Sequence, residues 1–271
     1  MLTPAVLCLL AYLIGSVPSG YLLIRAIRKV DVRQYGSHSI GAINVCRVGG
    51  VWLGGGTLLA DAGKALVVVL LARVLMSSPW VIASASILVM TGHAYSLWLF
   101  LAEGRFSEGK SVACALGVVF ALSLLRAFPW YVAVAPVAVW LTGLVGPRLL
   151  TGRWSYISPA TMAATVSLPL AVFLAGAGAA YLGLSAAMAV LILIRHRNNV
   201  RRLLAGTEPR LGDRLSSKAV PSAPGRQASV PRSAVRRASV QTDGDIARRL
   251  IHHESRRHTS RRWAHLRPVR A

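Results

Sequence analysis

Long apolar runs recur through the first 194 residues and leave little choice of fold. A helix needs about 20 apolar residues to cross the hydrocarbon core, and it satisfies its backbone polar groups internally. Seven segments approach this length: Pro4–Ile24, Leu53–Leu75, Pro79–Leu101, Ser111–Leu125, Pro129–Val145, Ile157–Ala175 and Ala177–Ile194. The fourth and fifth are short. The sixth contains Pro169 and is parted from the seventh by only a Gly-Ala-Gly turn. The expected fold is an all-α membrane protein of about seven transmembrane helices, with five or six as the counts the weaker segments allow. Composition agrees: hydrophobic residues make up 54% and charged residues 15%, against about 25% charged in soluble domains.

Charge placement sets an expected orientation. The first run lacks a basic stretch before it, and Arg25, Arg28 and Lys29 follow it instead. That order favours a retained helix with its C-terminal end in the cytoplasm over a cleaved signal peptide. Arg33, Arg47, Arg105, Lys110, Arg148 and Arg153 fall in loops on the same side, whereas Arg73 and Arg126 sit at helix ends on the other. Seven crossings then put the N-terminus outside and the C-terminus in the cytoplasm.

The net charge of +22 is unevenly spread: residues 1–194 contribute 12 − 4 = +8 and residues 195–271 contribute 19 − 5 = +14. The division expected is a membrane domain over 1–212 and a basic, disordered tail over 213–271, where few apolar residues can offset ordering entropy. The tail repeats Arg-x-Ala-Ser-Val at 226–230 and 236–240. This pattern suits an Arg-directed kinase at Ser229 and Ser239, or equally a basic segment resting on anionic membrane lipids. Trp263 is its only aromatic residue, so nucleic acid is not an expected partner. Cys8, Cys46 and Cys114 are too few and too scattered for a disulfide framework or a zinc site.

Three polar stretches flank the helices. The first, Asp31 to Arg47, combines Ser37, Ser39, Gly41, Asn44 and Arg47, the donors of a phosphate cradle. A glycine-containing connector would look similar. The second joins Gly92-His93 to Gly109-Lys110, a cation near a helix start. It lacks the glycine spacing and preceding strand of a Walker loop. The third runs from Ile194 to Glu208, and helical spacing puts His196, Asn199 and Arg202 on one face. It also fits a basic flank that stops translocation. Asp61 and Lys64, three apart inside the second apolar run, are expected to form a structural ion pair lining a site, since intramembrane charges are costly unless paired.

Together these stretches resemble the bacterial integral-membrane acyl-phosphate:glycerol-3-phosphate acyltransferase family, over roughly residues 5–212. Gly15-Ser-Val-Pro-Ser-Gly-Tyr21 resembles its first-helix signature, Asp31–Arg47 its first loop motif, and Gly92-His93 with Gly109-Lys110 its second. His196-x-x-Asn199 with Arg202, Gly206 and Glu208 resembles its third, and Asp61-x-x-Lys64 matches an internal pair. The resemblance implies transfer of a fatty acyl group from acyl phosphate to the sn-1 hydroxyl of glycerol 3-phosphate, forming lysophosphatidic acid for phospholipid synthesis. Catalytic roles then fall on Ser37, Lys110, His196 and Asn199. Substrate binding falls on Gly41, Asn44, Arg47, His93, Gly109, Arg202 and Glu208. The donor is already activated, so neither cofactor nor metal is expected. His93 or His196 would serve as base, or the leaving phosphate itself would take the proton.

The chain departs from the family pattern in places. His38-Ser39 stands where the family has Gly-Asn, and Ile43 where it has Thr. The second motif reads Phe106-Ser-Glu-Gly-Lys-Ser111 after an extension that includes Glu103, Gly104 and Arg105. A divergent paralogue with altered or weak activity is therefore the main alternative. A transporter for an organophosphate anion is a lesser one, since no internal repeat is visible. Because the resemblance stops near residue 212, deleting residues 216–271 is expected to leave acyl transfer intact. An inactive truncation present at normal membrane abundance contradicts this.

Overall fold

The computed structural model describes residues 3–106, 109–152 and 155–210. The proposed tail, with Ser229 and Ser239, lies outside them, as does Glu108. Among the described residues there are eleven α-helices, one short 3₁₀ turn over Val32–Gln34, and no strand beyond an isolated bridge between Tyr156 and Arg210. The helices are α1 (Pro4–Ser16), α2 (Ser19–Arg28), α3 (Ala42–Gly49), α4 (Val51–Leu75), α5 (Pro79–Ala94) and α6 (Leu97–Glu103). They continue with α7 (Val112–Leu124), α8 (Tyr131–Thr151), α9 (Ile157–Leu174), α10 (Ala179–Arg195) and α11 (Arg197–Leu204).

All seven expected apolar segments are helical, but several are not simple rods. The first is split between α1 and α2 at Val17-Pro18. Pro18 has no N–H to donate and pushes Val17 into an extended conformation (ψ 116°). The third is split between α5 and α6 at Tyr95-Ser96, where the Ser96 hydroxyl caps α6 by accepting from the Leu99 N–H at 3.3 Å. The fifth runs on past its expected end, through Pro147 to Thr151. By length and composition, four stretches can cross a bilayer: Pro4–Arg28, Pro79–Glu103, Tyr131–Thr151 and Ile157–Leu174. The pair α10–α11, bent by 50°, makes a fifth if counted as one span. Helix α7, with 13 residues, is shorter than a span, and α4, 25 residues long, carries the Asp61–Lys64 pair within its apolar run.

Helix α1 packs on α5, α4 on α7, α8 on α9, and α10 on both α9 and α5. The shared core is built from small and β-branched side chains, among them Ala11, Ala65, Val69, Ala85, Val89, Val118 and Ala121. In lipid the apolar tails compete equally for such surfaces, so close backbone approach and dispersion hold the helices together. The outer faces carry large exposed hydrophobic groups, such as Val74 at 81% and Phe173 at 65%. These are lipid-facing positions, and they explain why the helices are apolar nearly all round.

The tightest crossing is that of α1 with α5. A Cβ on Gly15 would overlap the backbone of Val89, and one on Gly92 would overlap the Tyr12 carbonyl. Gly63 in α4, by contrast, has open space around its missing side chain. Gly15→Ala is therefore expected to destabilise the protein by about 1–3 kcal/mol through overpacking. Gly63→Ala should be neutral or stabilising by up to about 1 kcal/mol. Thermal unfolding in detergent checks both, and equal behaviour of the two variants contradicts the crossing geometry.

Candidate active site

The first loop is organised around Asn44. This side chain is 1% exposed. Its amide nitrogen donates to the carbonyls of Val32 (3.1 Å), Tyr35 (3.0 Å) and Ser39 (2.8 Å), and its oxygen accepts from the Ser37 N–H at 2.9 Å. Asn44 thus folds the loop and presents Ser37, which is half-buried. The Gly41 N–H donates to the Ser39 hydroxyl at 3.2 Å as helix α3 begins. Arg47 is half-buried in the last turn of α3. His38 adopts a left-handed backbone (φ 59°), a conformation that favours glycine. Its ring Nδ1 lies 2.8 Å from the Arg33 carbonyl and so carries the hydrogen.

Arg33 ties this loop to α6. Its guanidinium donates to both carboxylate oxygens of Asp31 and, at 2.7 and 2.8 Å, to both oxygens of Glu103. It also lies over the Tyr21 ring, 4.6 Å from the centroid. The hydrogen-bonded guanidinium holds the Asp31 carboxyl below its ordinary pKa despite partial burial.

The second stretch rests on the end of α5. Gly109 lies flat against His93, with the ring Nε2 only 3.0 Å from where a Cβ would be. The Ser111 hydroxyl donates to the Met90 carbonyl at 2.7 Å. Half-buried Lys110 sits between these two buried neighbours. His93 itself is 3% exposed. Its Nδ1 lies 3.1 Å from the Lys64 Nζ and 3.3 Å from the Asp61 Oδ1. Lys64 is also 2.9 Å from Asp61 and donates to the Val17 carbonyl at 2.7 Å. Both Asp61 oxygens lack well-directed hydrogen bonds, so the pair is held mainly by charge. The expected structural pair is thus a triad that includes His93. Cys114 approaches it as well, and donor atoms of Asp61, His93 and Cys114 lie within 4.8 Å of one another. The Lys64 ammonium already neutralises the carboxylate there.

The third stretch surrounds the α10–α11 elbow. His196 ends α10 with Nδ1 2.8 Å from the Ile192 carbonyl, so Nδ1 donates and Nε2 is left for proton exchange or hydrogen bonding. Arg195 donates through Nε to the Gly109 carbonyl at 2.9 Å. The second and third stretches therefore meet. Beyond the elbow, Asn199 donates to the Ser158 hydroxyl and to the Glu208 Oε1, both at 2.7 Å. Ser158 also donates to Glu208, and Arg202 donates to Oε2 at 2.8 Å. The Asn199 Oδ1 is buried with no hydrogen-bond partner among the described residues. The sequence pattern singled out neither Ser158 nor Arg195. Ser158 lies one residue before Pro159 at the start of α9, which reads as an ordinary helix start.

Paired cations, an imidazole and an open amide beside an apolar bundle define an integral-membrane site suited to an anionic substrate with a lipid tail. Comparison with known proteins agrees. The sequence profile of glycerol-3-phosphate acyltransferase matches residues 5–206. The glycerol-3-phosphate acyltransferase of Caulobacter vibrioides (strain NA1000 / CB15N) is 40% identical over 214 residues, 79% of this chain and 90% of that protein. That of Synechococcus sp. (strain CC9902) is 34% identical over 80% of this chain and 100% of its own length. The crystal structure of PlsY (YgiH), an integral membrane glycerol 3-phosphate acyltransferase, in its glycerol 3-phosphate form, superposes with a TM-score of 0.66 at 35% identity. It covers 77% of this chain and 96% of PlsY. The chain belongs to the glycerol-3-phosphate acyltransferase family and is a multi-pass membrane acyltransferase.

Burial raises the pKa of the Glu208 carboxyl, but hydrogen bonds from Ser158, Asn199 and Arg202 outweigh it and hold the group below its ordinary value. A depressed folded-state pKa stabilises the fold above the ordinary glutamate value, about 4.3, and this contribution is lost as pH falls through the lowered value. Glu208→Gln should therefore lower the thermal midpoint at neutral pH, with the gap from wild type closing on acidification. A gap independent of pH contradicts the charge-based role.

Proposed function

We propose that this protein transfers a fatty acyl group from acyl phosphate to the sn-1 hydroxyl of glycerol 3-phosphate at the cytoplasmic face, releasing lysophosphatidic acid and inorganic phosphate. The observation that carries this reading is the Arg195–Gly109 bond, which joins the Lys110 strap to the elbow that bears His196 and the Asn199–Ser158–Glu208–Arg202 network. That face offers positive charge and directed hydrogen bonds next to lipid. PlsY (YgiH), its relative, has been crystallised in glycerol 3-phosphate and lysophosphatidic acid forms.

In this reading Ser37, Arg47 and Lys110 bind the glycerol phosphate, with Gly109 shaping the backbone beside it. Gly41, His196 and Asn199 hold the acyl-phosphate end. The sn-1 oxygen attacks the acyl carbonyl carbon, forming a C–O bond, and the bond from that carbon to the phosphate oxygen breaks. The leaving phosphate accepts the proton lost by the hydroxyl, so no protein nucleophile or separate base is consumed. Charge developing on the carbonyl oxygen is met by positive charge fixed beside it, that of Lys110, which costs little reorganisation at the moment of reaction. Orientation of two bound substrates supplies much of the remaining acceleration. His93 and Asn44, buried among protein partners, support the backbone that meets substrate. Seven crossings with the N-terminus outside would put all three stretches on the cytoplasmic side.

A divergent paralogue with altered activity is the second reading, favoured by His38, Ser39 and Glu108. Against it, the His38 backbone retains the left-handed turn with its ring bonded to Arg33, so a glycine-like loop shape survives. Purified protein given acyl phosphate and glycerol 3-phosphate without divalent metal should yield lysophosphatidic acid and phosphate in equal amounts. Lys110→Ala should lose about 10²-fold or more. Turnover of a different phosphorylated acceptor, with none of glycerol 3-phosphate, selects the second reading.

A further inference from the structure

We propose that Arg195 is a positioning residue that sets the Lys110 backbone against the α10–α11 elbow and so fixes Lys110 relative to His196. The proposal rests on the acyl-transfer reading for its kinetic consequence, but its geometry stands apart from that reading.

Lys110 lies in a three-residue strap with no helix of its own. Gly109 is pressed on His93 from one side, where any larger residue would collide with the His93 carbonyl. Ser111 is in the left-handed region (φ 59°), and its hydroxyl is bonded to the Met90 carbonyl. Both of these anchors lie on α5. The bond from the Arg195 Nε to the Gly109 carbonyl is a third anchor, and it comes from a different helix. The strap itself leads from α5 contacts into α7, whose N-cap is Ser111, so this bond is what ties it to α10, the helix that His196 ends. Arg195 and His196 are consecutive residues, so one backbone segment carries both the anchor of the strap and the imidazole.

The choice of arginine has a physical reason. Its Nε–H lies in the plane of a rigid fork and has a fixed direction, unlike a rotating ammonium. The guanidinium also lies over the Tyr95 ring, 4.8 Å from the centroid. Tyr95 is itself placed by the Tyr12 hydroxyl, which donates to its carbonyl at 2.9 Å, and by the edge-on Phe106 ring at 6.0 Å. Stacking on that face holds the plane of the fork, and the fork aims Nε at Gly109. A lysine keeps the charge and loses both constraints.

The test uses full-length protein in detergent or lipid, with wild type, Arg195→Lys, Arg195→Gln, Arg195→Ala and Lys110→Ala measured per folded molecule. All three Arg195 variants are expected to lower kcat by up to about 10²-fold, the cost of a small misplacement of a reacting group. Because Lys110 also binds the glycerol phosphate, KM for glycerol 3-phosphate should rise as well, by less than the fall in kcat, and added guanidinium chloride at millimolar concentration should partly restore Arg195→Ala but not Lys110→Ala. Hydrogen exchange over residues 106–112 should rise in Arg195→Gln. A raised KM with unchanged kcat overturns the proposal in favour of direct phosphate binding. Lowered thermal stability with wild-type kinetics and unchanged exchange overturns it in favour of plain packing. If wild type itself makes no lysophosphatidic acid, the acyl-transfer reading fails, and the exchange measurement alone decides whether Arg195 holds the strap.

Discussion

Two broken helices must have their exposed backbone oxygens satisfied where water is scarce, and much of the structure follows from that need. An unpaired carbonyl or N–H in hydrocarbon costs several kcal/mol. Helix α1 ends at Ser16 because of Pro18, and α5 ends before Tyr95. The two breaks lie side by side and supply each other. Ser96 donates to the Ser16 carbonyl at 2.5 Å, and the Tyr12 hydroxyl donates to the Tyr95 carbonyl. The Val17 carbonyl is taken by Lys64 from a third helix. Glycines at 15 and 92 let the chains come close enough for this exchange. The buried charges of α4 are thus part of the repair: Lys64 serves the break, Asp61 offsets Lys64, and His93 bridges the pair to α5.

The same arrangement positions the candidate site. His93 is both a member of the charge triad and the surface on which Gly109 lies, so the Lys110 strap inherits its position from the repaired break. A second, separate network does the equivalent work at the far end of α10. There Glu208 collects donors from Ser158, Asn199 and Arg202 and locks the elbow to α9. Residues that meet substrate in the proposed reaction are few, and each is carried by partners that have spent their own polar groups on backbone or on one another. This is how a site can be rigid on short helices and loops.

The legibility of these features in the sequence varied with their physical origin. Apolar run length exposed the long helices of the bundle, because lipid imposes it residue by residue, but not α3 or α11, which lie outside every run. It did not mark where a run is broken, as at Pro18 in the first and Tyr95-Ser96 in the third. Spacing in the third stretch read correctly for Asn199 and Arg202, which both reach Glu208, whereas His196 sits at the elbow between helices and bonds back to Ile192. Asn44 was legible as important but not in its task, because the same amide suits a phosphate or three loop carbonyls. Ser158 and Arg195 could not be found by pattern. Each acts across a separation in sequence, 41 residues for Ser158–Asn199 and 86 for Arg195–Gly109, and neither sits in a local pattern that differs from a helix end.

Two residues of the stretches that depart from the expected pattern meet at Arg33. His38 adopts a left-handed turn, and its ring bonds to the Arg33 carbonyl. Glu103 belongs to the extension before the second motif, and its carboxylate bonds to the Arg33 guanidinium. An exposed ion pair is worth at most about 1 kcal/mol, but here one guanidinium is held by two carboxylates and an aromatic face at once. Its side chain is only 20% exposed, so its geometry is restricted from several directions. Through Arg33 the first loop is fastened to α6. Gly104, with φ of 68°, ends α6 directly after Glu103 and turns the chain toward the strap. Residues far apart along the sequence thus meet at one guanidinium. A loop fastened in this way can keep the shape that presents Ser37 and Gly41.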